Sequence, residues 1–208
     1  MFWFLFYRPF VFFVNCLVYI KYPKLIFINA FCFLLDLFHV YHRDYMRGTF
    51  PISDLVYGEM SYYSIFVCIT KLKEMRFDEC IDLGSGLGKV VFFSSILMKC
   101  PCRGIEINPI YVDMSKRVLS VFSFDFVNIQ KADMKQFKAK GTVLIFFSAT
   151  CLTESTLNLM TTQFDALHSG SVIFSLSEQI DSDHYDMIDQ ICLPMSWGFS
   201  TVFIQQRR

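Results

Sequence analysis

The stretch "CIDLGSGLGKVVFF" (80–93) places Gly84, Gly86 and Gly88 at alternate positions, with Asp82 two places ahead of them and Lys89 directly after. The apolar residues before the glycines read as a buried strand and those after them as a helix, so the loop stands where a strand hands over to a helix. Glycines permit the tight turn and let a ligand come close to the backbone. The helix that follows turns unpaired N–H groups and a partial positive charge toward the same place. Ser85 lies inside this loop. A ligand carrying a carboxylate or a phosphate suits such a cradle.

Glu106 closes the next strand, 18 residues past Gly88, where an acidic side chain can accept from both hydroxyls of a ribose. Asp82 bears on the other end of the ligand. A carboxylate at the head of the loop repels a pyrophosphate but receives an ammonium, and the methionine half of S-adenosylmethionine offers one. The residues therefore favour S-adenosyl-L-methionine over a dinucleotide. A nicotinamide or flavin cofactor, and a plain glycine turn beside a surface acid, remain the alternatives at this point.

Those residues need a scaffold, and the hydropathy pattern supplies one. Helices are expected over 61–75, 89–99, 109–122, 153–167 and 182–191. Strands are expected over 80–84, 103–107, 126–132, 142–149 and 171–177, followed by extended pieces at 193–197 and 200–205. Strands separated by helix-length segments imply βαβ units and a mainly parallel sheet covered on both faces. The expected fold is thus α/β: a Rossmann-like, doubly wound seven-strand sheet.

Ahead of it, residues 1–40 are apolar almost throughout, broken by Arg8, Lys21, Lys24 and Asp36. No uninterrupted run reaches the roughly 18–20 residues of a clean membrane span. A tilted transmembrane helix, a re-entrant hairpin and an interfacial helix pair all fit, as does an apolar helical lid on the following domain. The polar stretch "HRDYMRGTFPISD" (42–54), with Gly48 and Pro51, reads as a linker. The expected organisation is an apolar, membrane-associated segment over 1–40, a linker over 41–54 and a methyl-transfer domain over 55–208.

Composition narrows the partners. Hydrophobic residues make up 54% of the chain, and the formal net charge is zero, which leaves no basic stripe for a nucleic-acid backbone. The eight cysteines form no CxxC pair and no clustered Cys/His spacing, so no metal site is expected. They read as free thiols of a reducing compartment. Cys151 has no histidine in an obvious pairing position and reads as structural.

The succession DxGxGxG, "GIEINP" (104–109) and "KADM" (131–134) resembles the class I seven-strand S-adenosylmethionine-dependent methyltransferases. That resemblance implies Asp82, Gly84, Gly86 and Gly88 around the methionine half, Glu106 on the ribose and Asp133 near the adenine. A narrower one starts at position 56: Tyr57-Gly58-Glu59 followed by "DLGSGLGKVVF" is similar to histone-lysine methyltransferases of the disruptor-of-telomeric-silencing type. It implies that Tyr57, Gly58 and Glu59 join the cofactor site, with Glu59 facing the cofactor's amino group and the target lysine nearby. The chain departs from that family in carrying "FFSATC" (146–151) where an Asn-Asn-Phe-like stretch helps form the lysine channel, and in lacking long basic flanks. The order of apolar segment, linker and compact domain also resembles small membrane-bound protein-lysine methyltransferases. Those commonly carry a Val-Pro-Ser/Thr stretch where this chain has Tyr57 to Glu59.

Methyl transfer from a sulfonium is a direct displacement, so holding the nucleophile in line within a dry pocket matters more than any catalytic triad. A lysine acceptor has to arrive unprotonated, which an apolar channel favours. Tyr57, Ser148 and Thr150 are the candidate catalytic residues, with Trp197 as a further channel residue. Ser148 and Thr150 equally suit a strand end or helix cap, and Trp197 a core position at a turn. The expected activity is methyl transfer to a protein lysine at a membrane. A small apolar or lipid acceptor, a non-catalytic cofactor-binding module and a dehydrogenase are the competing readings.

Overall fold

The structure, a computed structural model, describes residues 2–39, 58–150 and 152–208. The linker expected over 41–54, Tyr57 and Cys151 lie outside the described residues.

Two apolar helices lead the chain, α1 (Phe2–Lys21) and α2 (Lys24–His39). Then follow α3 (Tyr62–Lys71), β1 (Glu79–Leu83), α4 (Lys89–Met98), β2 (Cys102–Glu106), α5 (Pro109–Val121), β3 (Val127–Lys131), β4 (Val143–Ser148), α6 (Glu154–Asp165), β5 (Val172–Leu176), β6 (Tyr185–Pro194) and β7 (Phe199–Arg207). The seven strands form one sheet in the order β3-β2-β1-β4-β5-β7-β6. Every pairing from β3 to β5 is parallel, while β7 runs antiparallel to both β5 and β6. The expected doubly wound sheet is what forms.

Local chemistry explains most element ends. Ser61 caps α3 by accepting from the Ser64 N–H, and Ser64 Oγ in turn donates to the Pro194 carbonyl at 2.7 Å. Asn108 caps α5, with Pro109 at the first helical position where a missing N–H costs nothing. Thr153 caps α6 in the same manner as Ser61.

Strands β4 and β5 are buried over nearly their whole length, as parallel strands covered on both faces must be. Side chains alternate between two cores. Cys80, Leu144, Phe146 and Phe174 face α3, α4 and α5, whereas Ile81, Leu83, Ile145 and Phe147 face α6. The α1–α2 pair packs outside the first core, to which it contributes Val18, Tyr19, Leu25 and Ile28.

Two expectations are corrected. The segment expected as a helix over 182–191 is instead most of β6, paired with β7 from Tyr185↔Arg207 to Pro194↔Phe199. Strand β7 enters the sheet against its neighbours' direction and needs an antiparallel partner on its second side. The residues just before it in the chain supply that partner. Asp186 and Asp189 on this strand give the sheet a charged edge that discourages further pairing. Second, among the described residues no helix is long and apolar enough to cross a membrane, so the transmembrane-helix option finds no support. Arg8 and Pro9 break the apolar run of the continuous 20-residue α1, and α2 has only 16 residues.

Candidate active site

The strand order reverses between β1 and β4, and the crevice beyond their carboxyl ends is where a doubly wound sheet takes its ligand. The glycine loop leaves β1 at that point. Its backbone is stitched to the end of β2: the Gly84 and Ser85 N–H groups donate to the Ile105 carbonyl at 2.8 and 3.0 Å. Gly84, Gly86 and Gly88 all have positive φ, at 83°, 51° and 83°. At Gly84 a side chain would point into open space, with nothing within 4 Å, so the loop presents bare backbone to a vacant volume. At Gly88 a Cβ would instead meet the Phe92 ring at 2.8 Å. Ser85 is buried; its Oγ lies against Gly104 and has no hydrogen-bond partner.

Glu106 is a buried hub. Its Oε2 accepts from the Gly86 N–H and its Oε1 from the Asn108 N–H, both at 2.7 Å. Burial raises its pKa above the ordinary carboxylate value, against the lowering effect of those same N–H groups. Each oxygen keeps acceptor capacity toward the crevice. Asp133 follows β3, and its Oδ1 accepts from the Lys135 N–H at 2.9 Å. Ala132 beside it bonds to the Glu106 carbonyl, which brings Asp133 and Glu106 to the same edge.

Asp82 sits on the penultimate residue of β1, 8% exposed, and among the described residues its carboxylate accepts no hydrogen bond. Burial, and then repulsion from Glu106, push its pKa up to about 8. A buried acid without a partner is costly unless a cation completes it. An open backbone cradle, a carboxylate waiting for a cation and a second carboxylate at the neighbouring strand end suit an amino-acid-bearing nucleoside. The residues present therefore fit S-adenosylmethionine.

Gly58 and Glu59 approach the site from the other side, held by the turn between β6 and β7. The Glu59 N–H donates to Ser196 Oγ and the Ser196 N–H to the Glu59 carbonyl, each at 2.9 Å, and Met60 pairs with Met195. The Trp197 ring lies close against Gly58, where a Cβ would come within 2.4 Å of it. Glu59 Oε2 meets Lys89 Nζ at 2.9 Å, and the same ammonium stands 4.8 Å from the centre of the buried Tyr62 ring. The resemblance implies that Glu59 meets the cofactor's amino group; the structure shows it paired with Lys89.

Ser148 ends β4 and is exposed. Thr150 Oγ1 is 2.9 Å from Ser177 Oγ, which is 3.3 Å from Ser200 Oγ, a short row of hydroxyls just past the ends of β4 and β5 and at the start of β7. Ser177 has a φ of 72°, an uncommon conformation for a side-chain-bearing residue and one that accumulates at functional edges. Lys89 stands out in sequence beside the glycines but without a role, and Ser177, Ser196 and Ser200 do not stand out at all. Lys89 carried a signal: a cation in the first turn of a helix opposes the helix dipole and calls for an acidic partner. Nothing local marks Ser177 or Ser200.

Residues 39–140 match the family described as histone methylation protein DOT1. No curated protein matches the chain. Several solved structures share its fold. An RNA methyltransferase from Salinibacter ruber, in complex with S-adenosyl-L-homocysteine, is 19% identical, over 69% of this chain and 90% of its own, with a TM-score of 0.53. TrmN from Thermus thermophilus is 10% identical, over 70% of this chain and 48% of its own, with a TM-score of 0.57. MtNAS, in a structure holding S-adenosylmethionine, is 13% identical, over 71% of this chain and 64% of its own, with a TM-score of 0.52. The seven-strand fold and its glycine loop are those of the class I S-adenosylmethionine-dependent methyltransferases. Over residues 39–140 the chain resembles the Dot-type histone methyltransferases.

Proposed function

We propose that the chain transfers a methyl group from S-adenosylmethionine to a protein lysine side chain. The observation that carries the choice of acceptor is the match of residues 39–140 to a histone methylation family. Two features of the site support it. Trp197 close against Gly58 gives one apolar wall, which favours the uncharged amine over the ammonium. Ser148 and the row Thr150–Ser177–Ser200 supply hydroxyl oxygens that can accept an amine's N–H groups.

When bound, the sulfonium supplies an electrophilic methyl and a neutral thioether leaving group. The acceptor amine would have to stand uncharged and in line with that methyl, and the proton of the product ammonium would pass to solvent. What the protein contributes is position: Asp82 for the cofactor's ammonium, Glu106 for its ribose hydroxyls, the glycine backbone beneath it, and Gly58–Glu59 as a flank held by Ser196 and Trp197.

The test is transfer of labelled methyl from S-adenosylmethionine to cell extract by the purified full chain, with Asp82→Ala as control and with protein, RNA and lipid fractions separated. Acid-stable label on lysine in the protein fraction, abolished by Asp82→Ala, is the expected result. Label confined to RNA or to lipid would replace the acceptor; no label in any fraction despite cofactor binding would overturn the enzymatic reading.

A further inference from the structure

Helices α1 and α2 are apolar over most of their length and on opposite sides. One side of each is in the core: Leu25 and Ile28 are fully buried and Val18 nearly so. The opposite side is bare. On α1, Phe13, Leu17 and Ile20 recur at helical spacing and are 67%, 56% and 82% exposed. On α2, Phe27, Phe33 and Leu34 form the matching stripe, with 65%, 65% and 48% of their surfaces exposed. A soluble helix turns a polar face to water, and a contiguous apolar patch of this kind marks an interaction site.

The charges say what covers it. Over the two helices the charged residues are Arg8, Lys21, Lys24 and Asp36, three cations to one acid. All three cations are exposed; Lys24 also donates to the Ser123 carbonyl, and Lys21 stands over the edge of the domain at the Phe66 ring. Lys21 and Lys24 flank the turn between the helices, and Arg8 lies near the start of α1. A second copy of this chain, meeting the same patch about a two-fold axis, would bring cations against cations. An anionic lipid surface complements them: the apolar stripes enter the acyl boundary while the cations stay with the head groups.

We propose that the outward face of the α1–α2 hairpin docks in the head-group region of an anionic bilayer, lying in its plane. Crossing the bilayer would strip Leu25 and Ile28 out of the protein core, and neither helix is a candidate span. The hairpin is also tied to the candidate site. Tyr7 Oη donates to the Met195 carbonyl at 2.8 Å and Phe10 packs on Phe199 at 5.9 Å. Met195 and Ser196 are the residues that hold Met60 and Glu59. Lipid-bound helices and cofactor flank thus share one turn, which places the active site beside the membrane surface. The docking itself does not depend on which acceptor is methylated.

The test is flotation of the full chain with vesicles of phosphatidylcholine alone or mixed with phosphatidylglycerol. The chain should float with the mixed vesicles at least about tenfold more tightly than with neutral ones, on the order of 1 kcal/mol for each cation near the surface. Arg8→Glu with Lys21→Glu should erase that difference. Phe13→Ser with Phe27→Ser should remove flotation altogether, and because both side chains point outward these variants should keep cofactor binding. Flotation that ignores lipid charge, or its absence with both vesicles, would overturn the proposal. So would lipid-independent self-association that the Phe13→Ser and Phe27→Ser pair abolishes. Depth is read from Phe13→Trp and Phe27→Trp, each corrected for the native tryptophans. Quenching by lipids brominated near the head groups supports the in-plane hairpin, and quenching only by bromine at the chain ends overturns it. Vesicle binding and methyl transfer are separate readouts, so failure of one leaves the other standing.

Discussion

Lys89 and Glu59, thirty positions apart, meet at 2.9 Å with 16% and 27% of their side chains exposed. The pair joins the first turn of α4 to the segment that flanks the cofactor crevice. A lysine in a helix's first turn is electrostatically misplaced unless an acid answers it, and Glu59 answers it. The expected outcome for Lys89→Met is a weaker hold on the Glu59 segment, at a cost of about 1–3 kcal/mol for a lost charged hydrogen bond. The apparent KM for S-adenosylmethionine should rise more than kcat falls. Glu59→Gln should give a similar effect, and the double variant less than the sum, because both remove one interaction. Steady-state kinetics on the three proteins check this, and full additivity would show that the pair does not act as a unit.

Gly58 and Trp197 test the same flank from its other side. A methyl group at Gly58 would sit 2.4 Å from the indole, so Gly58→Ala should displace either the segment or the ring, at about 1–3 kcal/mol. Trp197→Ala removes the obstacle but opens the apolar wall. Thermal unfolding should show Gly58→Ala costing less in the Trp197→Ala background than in the parent protein. Equal costs in both would mean that the clash is relieved elsewhere.

How much of this was legible in the sequence follows from how many uses each residue pattern has. Alternate glycines between a buried strand and a helix, with acids at 82 and 106, have few uses, and they placed the crevice, its ligand class and the parallel half of the sheet. The insertion of β7 between β5 and β6 was not legible, because strand order depends on pairing energies between distant segments. The stretch 182–191 was read as helix for the same reason: its conformation is decided by β7, which follows it in the chain. The φ of Ser177 and its contacts to Thr150 and Ser200 arise only when three strand ends converge. The length of the apolar N-terminus was plain from composition, but which of its sides is buried depended on the partners α3 and α5 provide.

Glu106 holds the glycine loop in shape by accepting from the Gly86 and Asn108 N–H groups. In Glu106→Gln one oxygen becomes an NH2 that faces a backbone donor. The expected result is a loop loosened by about 1–3 kcal/mol, with cofactor affinity falling more than the melting temperature suggests, because the ribose hydroxyls lose an acceptor as well. Calorimetric binding beside thermal unfolding checks it; unchanged affinity would remove Glu106 from the ribose site.

Asp82 makes the behaviour of the protein depend on pH in a direction that can be worked out. Burial and the neighbouring Glu106 push its pKa up to about 8 in the folded protein, from an ordinary value of 3.8. Between those two values the folded chain holds a proton that the unfolded chain has released, so ν_U − ν_N is negative and stability falls as pH rises. The contribution is fully present below the unfolded value and lost once pH passes the folded one. Without cofactor, the melting temperature should therefore decline from about pH 5 to pH 8, and Asp82→Asn should flatten that decline. The cofactor's ammonium reverses the balance, because it favours the carboxylate. Binding near neutral pH should release close to one proton, visible as a dependence of the calorimetric heat on the buffer's ionisation enthalpy, and Asp82→Asn should abolish it. Proton release that persists in Asp82→Asn would assign it to another group and leave Asp82 without a cation to pair.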